Sequence, residues 1–222
     1  MKTYQVGGSV RDELLGVEPH DKDWVVVGSS PEEMIEAGFK PIGKDFPVFL
    51  HPDTKEEYAL ARTERKSGKG YHGFKFYYDP SVTLEDDLLR RDLTINAIAK
   101  DSQGKLIDPF NGQDDLFNKK LRNVSDAFCE DPLRAIRLGR FLSYKHISDF
   151  SITPQLKAIV KKILDSGELN YLSGDRVFAE IDKAIQNHFP EKFFNFVVEN
   201  KLDKPWLKAV SYTHLTLPTK VT

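Results

Sequence analysis

Apolar positions over residues 1–61 switch repeatedly between a two-residue and a helical period, and the switches mark out short strands and helices. Tyr4 to Val6 starts as a strand, Gly7-Gly8 breaks it, and Val10, Leu14 and Leu15 then recur at helical spacing. After a loop from Gly16 to Asp21, Trp24 to Val27 is β-branched and aromatic and closes on Gly28. Ser30-Pro31-Glu32-Glu33 places a cap and a proline where a helix begins, and that helix stops near Gly38. Pro47 to Leu50 and Tyr58 to Ala61 read as strands on either side of the polar turn His51 to Lys55, which suits a hairpin or a meander. This order predicts a small mixed sheet with helices against it.

Residues 66–80, KSGKGYHGFKFYYDP, hold glycine, lysine and aromatics in no steady period and read as a mobile loop or a ragged hairpin. The next stretch, LEDDLLRRDLTINAIAKD, is helix-prone through Ala99, and GKLIDPFNG then supplies a strand and a turn. From Asp131 onward helical spacing dominates, through Ala158 to Leu164, Arg176 to Ile185 and Lys192 to Val198. The pattern divides the chain into an α/β head over 1–125, an all-α neck over 126–202 and an irregular tail over 203–222. The end of that tail, SYTHLTLPTKVT, abandons the preceding pattern and reads as sequence foreign to the fold. No internal repeat is visible.

At 40% hydrophobic and 30% charged, the 222 residues suffice for one or two cored units and argue against a disordered or fibrous chain. The net charge of -2 means that any contact with nucleic acid must come from local basic clusters. A single cysteine, Cys129, excludes an internal disulfide framework and a cysteine-built zinc site. With no signal-peptide pattern and no apolar run of about 18 residues, the reading is a cytoplasmic protein without a membrane partner.

The candidate chemistry begins at GGSVRDELLGVEPHDKDWVVVG, residues 7–28. On an extended chain positions i and i+2 face the same side, so Asp21 and Asp23 can present two carboxylates to one point. Such a pair suits Mg²⁺, which takes one or two protein carboxylates and completes its shell with water and phosphate oxygens. A solvated loop before a strand is the plain alternative. Gly7-Gly8, with Ser9 opening a helix, offers backbone N–H groups to phosphate oxygens, and Arg11 adds a cation. The P-loop pattern is absent, and so is the third glycine of the dinucleotide fingerprint.

A second cluster, EDPLRAIRLGRFL, starts with Asp131 before Pro132, the arrangement of a helix cap. Arg134, Arg137 and Arg140 occupy a stripe about 120° wide on that helix, while Ala135, Ile136, Leu138, Phe141 and Leu142 surround it. A helix apolar on its other sides is buried, and three buried arginines need partners. A nucleotide would serve, and so would an internal salt-bridge network.

Three ordered motifs, GGSVRDELLG with DKDWVVVG, RRDLTINAIA at 90–99 and EDPLRAIRLGR at 130–140, resemble those of the tRNA nucleotidyltransferase (CCA-adding enzyme) and poly(A) polymerase family. The likeness is to its bacterial branch, and within that to the multifunctional type of gammaproteobacteria. It covers roughly residues 1–200. The resemblance implies an α/β nucleotidyltransferase head of the polymerase-β kind followed by an all-α neck. It further implies template-independent addition of CCA to the 3′ end of tRNA, in which the RNA 3′-hydroxyl attacks the α-phosphate of CTP or ATP with Mg²⁺ present and pyrophosphate leaves.

In that frame Asp21 and Asp23 hold the metal, and Glu57, in EEYALAR, is the candidate third carboxylate, against an exposed edge-strand glutamate. Gly8 and Arg11 steady the triphosphate, and Arg91 faces the nucleotide while Asp92 and Asn96 orient the ribose or the loop. Asp131 and Arg134 read the base edge, with Arg137 and Arg140 nearer the phosphates. The implied partner is tRNA lacking its 3′ CCA, with no stable protein partner.

Poly(A) polymerase shares these motifs, but it is expected to carry two consecutive basic residues where IGKDFPVF has Lys44 followed by Asp45. A catalytically impaired RNA- or nucleotide-binding module is a further alternative, opposed by the intact acidic and arginine sets. The family's long chains add helical domains and, in the multifunctional type, a His-Asp phosphohydrolase domain. None fits in this sequence, so weak tRNA affinity and no phosphohydrolase activity are expected. Gly68 and Gly70, with Lys66, Lys69 and Lys75, make the 66–80 loop the candidate mover in the change from CTP to ATP.

Overall fold

The computed structural model describes residues 1–42, 48–66, 74–204 and 206. Its first half is built on a seven-stranded mixed sheet of β1 (Lys2–Val6), β2 (Asp23–Val27), β3 (Lys40–Pro41), β4 (Val48–Leu50), β5 (Glu57–Leu60), β8 (Ala99–Lys100) and β9 (Leu106–Ile107). The strand order is β3-β4-β5-β2-β1-β8-β9. The β4 and β5 strands pair antiparallel across the His51 turn, whereas β2 and β5 run parallel, so the sheet is mixed as the sequence predicts.

Period-two alternation in β2 buries both sheet faces. Val25 joins Val6, Ala61, Leu88, Ala97 and Ala99 in one cluster, and Val26 joins Met34, Phe39, Phe49, Tyr58 and Leu60 in the other. Helix α1 (Gly8–Leu14) follows β1 directly. Helix α2 (Pro31–Glu36) starts in a capping box between Ser30 and Glu33.

The stretch expected to be helical through Ala99 is not. Helix α3 (Leu84–Leu89) ends before Arg90, Thr94–Asn96 forms a single 3₁₀ turn, and Ala99 enters the sheet beside Val6. Local side-chain bonds displace the helix: the Asp92 carboxylate accepts from Leu93 N at 2.8 Å and from Asn96 Nδ2 at 3.0 Å. Leu93, Ile95 and Ile98 are fully buried in this irregular path, which no single helix face could achieve.

The ragged-hairpin alternative for 66–80 is the observed one in part, since β6 (Thr63–Lys66) and β7 (Phe74–Tyr77) pair antiparallel. Lys66 and Lys75 fall on its strands. Gly68, Lys69 and Gly70 lie outside the described residues, as do Lys44 and Asp45. Two short elements without a sequence signal complete this half, α4 (Gly112–Phe117) and β10 (Lys120–Leu121).

Beyond them come α5 (Leu133–Ser143), β11 (Ser151–Ile152), α6 (Pro154–Ser166), α7 (Gly174–Ile185) and α8 (Pro190–Glu199). Helix α5 packs on α7 and α8. Gly139 permits the close α8 approach, since a Cβ there would sit 3.0 Å from Phe196 and 3.2 Å from Phe193. One apolar core crosses residue 125, joining Val10, Leu93, Ile95 and Ile98 to Leu133, Ile136, Leu138 and Phe141. Strands β10 and β11 pair in parallel across the same position. Leu202 is fully buried and Trp206 packs against this core, so packing extends a few residues into the stretch assigned to the tail. Among the described residues no helix is long and apolar enough to cross a membrane.

Candidate active site

Two cavities of about 490 and 480 Å³ lie along the carboxyl-bearing edge of the sheet, and Asp23 is the one residue that lines both. Asp23 opens β2, paired with Val6 on one side and in parallel register with Glu57 on the other. Side chains of paired residues on parallel strands share a face, so Glu57 is placed beside Asp23, and both line the second cavity with Asp21. Asp21 is largely exposed, with its Oδ2 3.1 Å from His20 Nδ1. Burial pushes the Asp23 carboxyl above its ordinary pKa, the facing Asp21 charge adds to that, and Arg91 opposes it. Among the described residues no three His, Cys, Asp or Glu side chains gather into a ready-made metal cage.

The first cavity is an arginine-rich cleft. Arg11, Arg62, Arg90, Arg91, Arg134, Arg137, Arg140 and Arg176 line it, against Asp23, Asp92 and Asp131. Such an excess of guanidinium around a cleft of this size suits a polyanionic small molecule. The glycine turn forms one wall: Gly7 has φ +75°, and a Cβ on it would come 2.9 Å from Arg91 Nη1 and 4.0 Å from Asp23 Oδ2. Gly7 therefore does what only glycine can, in closing the turn and letting Arg91 approach. Gly8 begins α1, and Arg11, buried, donates from Nη1 to Asn96 Oδ1 at 2.8 Å and from Nε to Asp12 Oδ1 at 2.8 Å.

Arg90 and Arg91 both line the cleft and both clasp Asp87, at 2.7 and 3.1 Å. They can share a carboxylate because they follow Asp87 by three and four residues, the spacing at which side chains meet on a helical turn. Burial of Asp87 favours its neutral form, yet the two guanidinium groups hold its carboxyl below the ordinary value. Arg91 Nε is buried with no hydrogen-bond partner in the described structure.

The helix begins at Leu133, with Pro132 and not Asp131 in the cap position, and the Asp131 side chain still accepts from Leu133 N at 3.2 Å through Oδ1. Its Oδ2 accepts from Arg176 Nη2 at 2.8 Å. Arg134 donates to two backbone oxygens, Arg90 O at 2.6 Å and Ala127 O at 3.2 Å. Arg137 donates from Nε and Nη2 to Asp92 Oδ2 and from Nη1 to Glu180 Oε1, and Arg140 Nε pairs with Glu180 Oε2.

The internal network left open as an alternative is thus present for Arg137 and Arg140, and both still line the cleft. Burial alone would raise the Asp92 pKa, but Arg137 beside it holds the carboxyl far below the usual carboxylate range; the same pair raises the Arg137 pKa against its own burial.

Arg62, Phe141, Tyr144 and Arg176, which line the cleft, and Glu180 behind it are not among the site residues the sequence suggests. For two of them a signal existed: Arg176 and Glu180 are charged residues at i, i+4 on α7, the helix that also buries Val177 and Ala184, and so present opposite charges to Asp131 and the α5 arginines.

A nucleotidyltransferase-type head, with acidic residues at the strand edge and an arginine-lined cleft beside them, is the class these features define. The chain belongs to the family described as the poly A polymerase head domain, whose pattern matches residues 3–122. It is 57% identical over 199 residues to a CCA-adding enzyme of Marinobacter nauticus, covering 90% of this chain and 53% of that protein. It is 54% identical over 199 residues to a multifunctional CCA protein of Teredinibacter turnerae, covering 90% and 48%.

Among solved structures, a Bacillus stearothermophilus CCA-adding enzyme in complex with CTP superposes with a TM-score of 0.74 at 28% identity, over 90% of this chain and 48% of that one. A tRNA nucleotidyltransferase complexed with a primer tRNA and an incoming ATP analog gives 0.72 at 28% identity, over 93% and 59%. The chain spans about half the length of the curated relatives it matches.

Proposed function

We propose that this chain is the catalytic portion of a CCA-adding tRNA nucleotidyltransferase, which extends a tRNA lacking its 3′ CCA with CTP and ATP. The observation that carries this reading is the position of Asp23 between the arginine-lined cleft and the Asp21–Glu57 cavity. In-line transfer needs the triphosphate on one side of the reacting phosphorus and the attacking hydroxyl on the other. The RNA 3′-oxygen bonds to the α-phosphorus, the bond from that phosphorus to the bridging oxygen breaks, and pyrophosphate leaves.

The donor set fits Mg²⁺. Asp21 and Asp23 offer hard oxygens, and the Asp21 charge adds to burial in raising the Asp23 carboxyl against the pull of Arg91, so the pair suits an ion that takes one or two carboxylates and keeps water and substrate oxygens. When bound there, the ion neutralises charge on the attacking and leaving oxygens. Glu57 supports that edge as the adjacent carboxylate. The Gly7-Gly8 turn, Gly8 N–H at the start of α1, and Arg11 and Arg91 take the phosphates.

Asp131 accepts from the exocyclic amino group of cytosine or adenine, and Arg134, with two of its five N–H donors on backbone carbonyls, has others for the base acceptors. Their existing bonds hold both side chains in place before substrate arrives. Arg137 and Arg140 supply positive field near the phosphates. Residues 1–125 serve as the head and 126–202 as the nucleotide-selecting neck, and the cytoplasm is the site of action.

The test is extension of a tRNA ending before its CCA, with Mg²⁺ and CTP, ATP or both, beside an Asp23→Asn control. Two C residues and one A, then a stop, is the expected product. A long run of A would convert the reading to poly(A) polymerase.

A further inference from the structure

Asp12 and His146 belong to no part of the reaction described above, yet they join the phosphate-binding helix α1 to the segment just after the arginine-bearing helix α5. Asp12 Oδ1 accepts from Arg11 Nε at 2.8 Å, and Arg11 Nη2 lies 2.7 Å from the same oxygen. His146 Nε2 lies 2.9 Å from that oxygen as well, a close contact that lacks the alignment of a hydrogen bond. The side chains of Asp12 and His146 retain only 18% and 19% of their exposure, and that of Arg11 5%, so the contacts are screened little by solvent.

The second layer closes the circuit. The His146 ring stacks on Tyr144, with centroids 5.5 Å apart and planes at 27°. Tyr144 in turn takes a hydrogen bond from Arg140 Nη1 at 2.5 Å, and the Arg11 guanidinium sits over the same ring at 5.5 Å. Arg11, from the head, and Arg140, from the neck, therefore share one aromatic ring. His146 and Asp12 hold that ring and that guanidinium together.

From this geometry we infer that Asp12 and His146 form a latch between head and neck that positions Arg11 in the nucleotide cleft and couples phosphate binding to the α5 arginines. The inference rests on the reading that the cleft takes a nucleotide. Arg11 has three N–H groups engaged at its far side, by Asp12 and Asn96, so its direction into the cleft is set by those partners. His146 is the member supplied by the neck. Without it Asp12 is anchored from the head alone, and the head can shift relative to α5 at the one place where triphosphate and base contacts must act together.

The experiment measures CTP and CMP affinity of the 222-residue chain, with Mg²⁺, in the wild type, His146→Ala, His146→Gln, Arg11→Ala and the His146→Ala/Arg11→Ala double variant. His146→Ala is expected to weaken CTP binding about 5- to 10-fold, the lower end of ordinary coupling between sites, and to affect CMP less. Glutamine can place an amide N–H where Nε2 stands, so His146→Gln should recover most of the loss.

In the Arg11→Ala background the His146 change should cost nothing further, because the two act through one contact. A loss that simply adds to that of Arg11→Ala, or equal losses for CTP and CMP, would overturn the latch and leave the nucleotide reading intact. Thermal unfolding of each variant separates a folding defect from a local one, and His146→Gln carries the test should alanine unfold the chain. A wild-type chain that binds neither nucleotide would overturn the nucleotide reading and the latch with it.

Discussion

Arg137 grips Asp92 from a distance of 45 residues, with Nε at 3.0 Å and Nη2 at 2.9 Å from a single carboxylate oxygen, and reaches Glu180 with its remaining nitrogen. This pair ties the irregular segment after α3 to α5, and Glu180 ties both to α7. Asp92, Arg137 and Arg140, held by this network, line the arginine-rich cleft.

Breaking that pair from the acidic side leaves a partly exposed guanidinium with Glu180 as its remaining partner. Because the Arg137 side chain keeps a third of its exposure and its bond to Glu180, Asp92→Ala should lower stability by about 1–2 kcal/mol, less than for a fully buried pair. Urea unfolding at neutral pH measures it. A loss below about 1 kcal/mol, the value of an exposed pair, would show that Arg137 finds other partners.

The same pair predicts a pH dependence. The folded pKa of Asp92 lies below its unfolded value near 3.9, so its contribution is complete at neutral pH and is lost as pH falls through the folded value. The stability difference between wild type and Asp92→Asn should hold from pH 7 to 5 and narrow by about 1 kcal/mol at pH 3. A constant gap across that range would assign the stabilisation to another group.

At the strand edge the expected partner is a cation. Because burial and Asp21 raise the Asp23 pKa, the metal-free carboxylate is destabilised, and Mg²⁺ should raise the unfolding temperature of the wild type but not of Asp23→Asn. The same variant should lose at least about 100-fold in nucleotide transfer. An equal Mg²⁺ response in both proteins would move the ion away from Asp23.

Gly7 provides a steric test. Alanine there would need a conformation with φ +75° that side chains disfavour by about 1–3 kcal/mol, and its methyl would displace Arg91, 2.9 Å away. Gly7→Ala should lower both stability and CTP affinity, whereas Gly16→Ala, also at positive φ but with nothing within 4 Å, should lower stability alone. Equal CTP affinity in the two variants would remove Gly7 from the site.

Arg176 bears on specificity. It donates to Asp131 Oδ2 at 2.8 Å, so its removal would loosen the carboxylate proposed to meet the base edge. Arg176→Ala should reduce the preference for CTP over UTP about 10-fold, a modest share of what a buried hydrogen-bonding site can supply. Competition binding reads it directly, and an unchanged ratio would place base discrimination on other groups.

Periodicity and spacing alone determined the strand–turn–helix at Gly7-Gly8, the strand that Asp23 opens, the capped start of α2 and the arginine stripe of α5. Each of these depends on residues within one or two turns of chain, where backbone geometry sets which way side chains point. The parallel register that sets Glu57 beside Asp23 and the choice of Asp92 and Glu180 as partners for Arg137 and Arg140 were decided only by tertiary packing. Those outcomes depend on groups brought together from about 30 to 45 residues apart, and a local pattern of apolar and polar positions states that a buried arginine needs an anion without stating which one the fold will deliver.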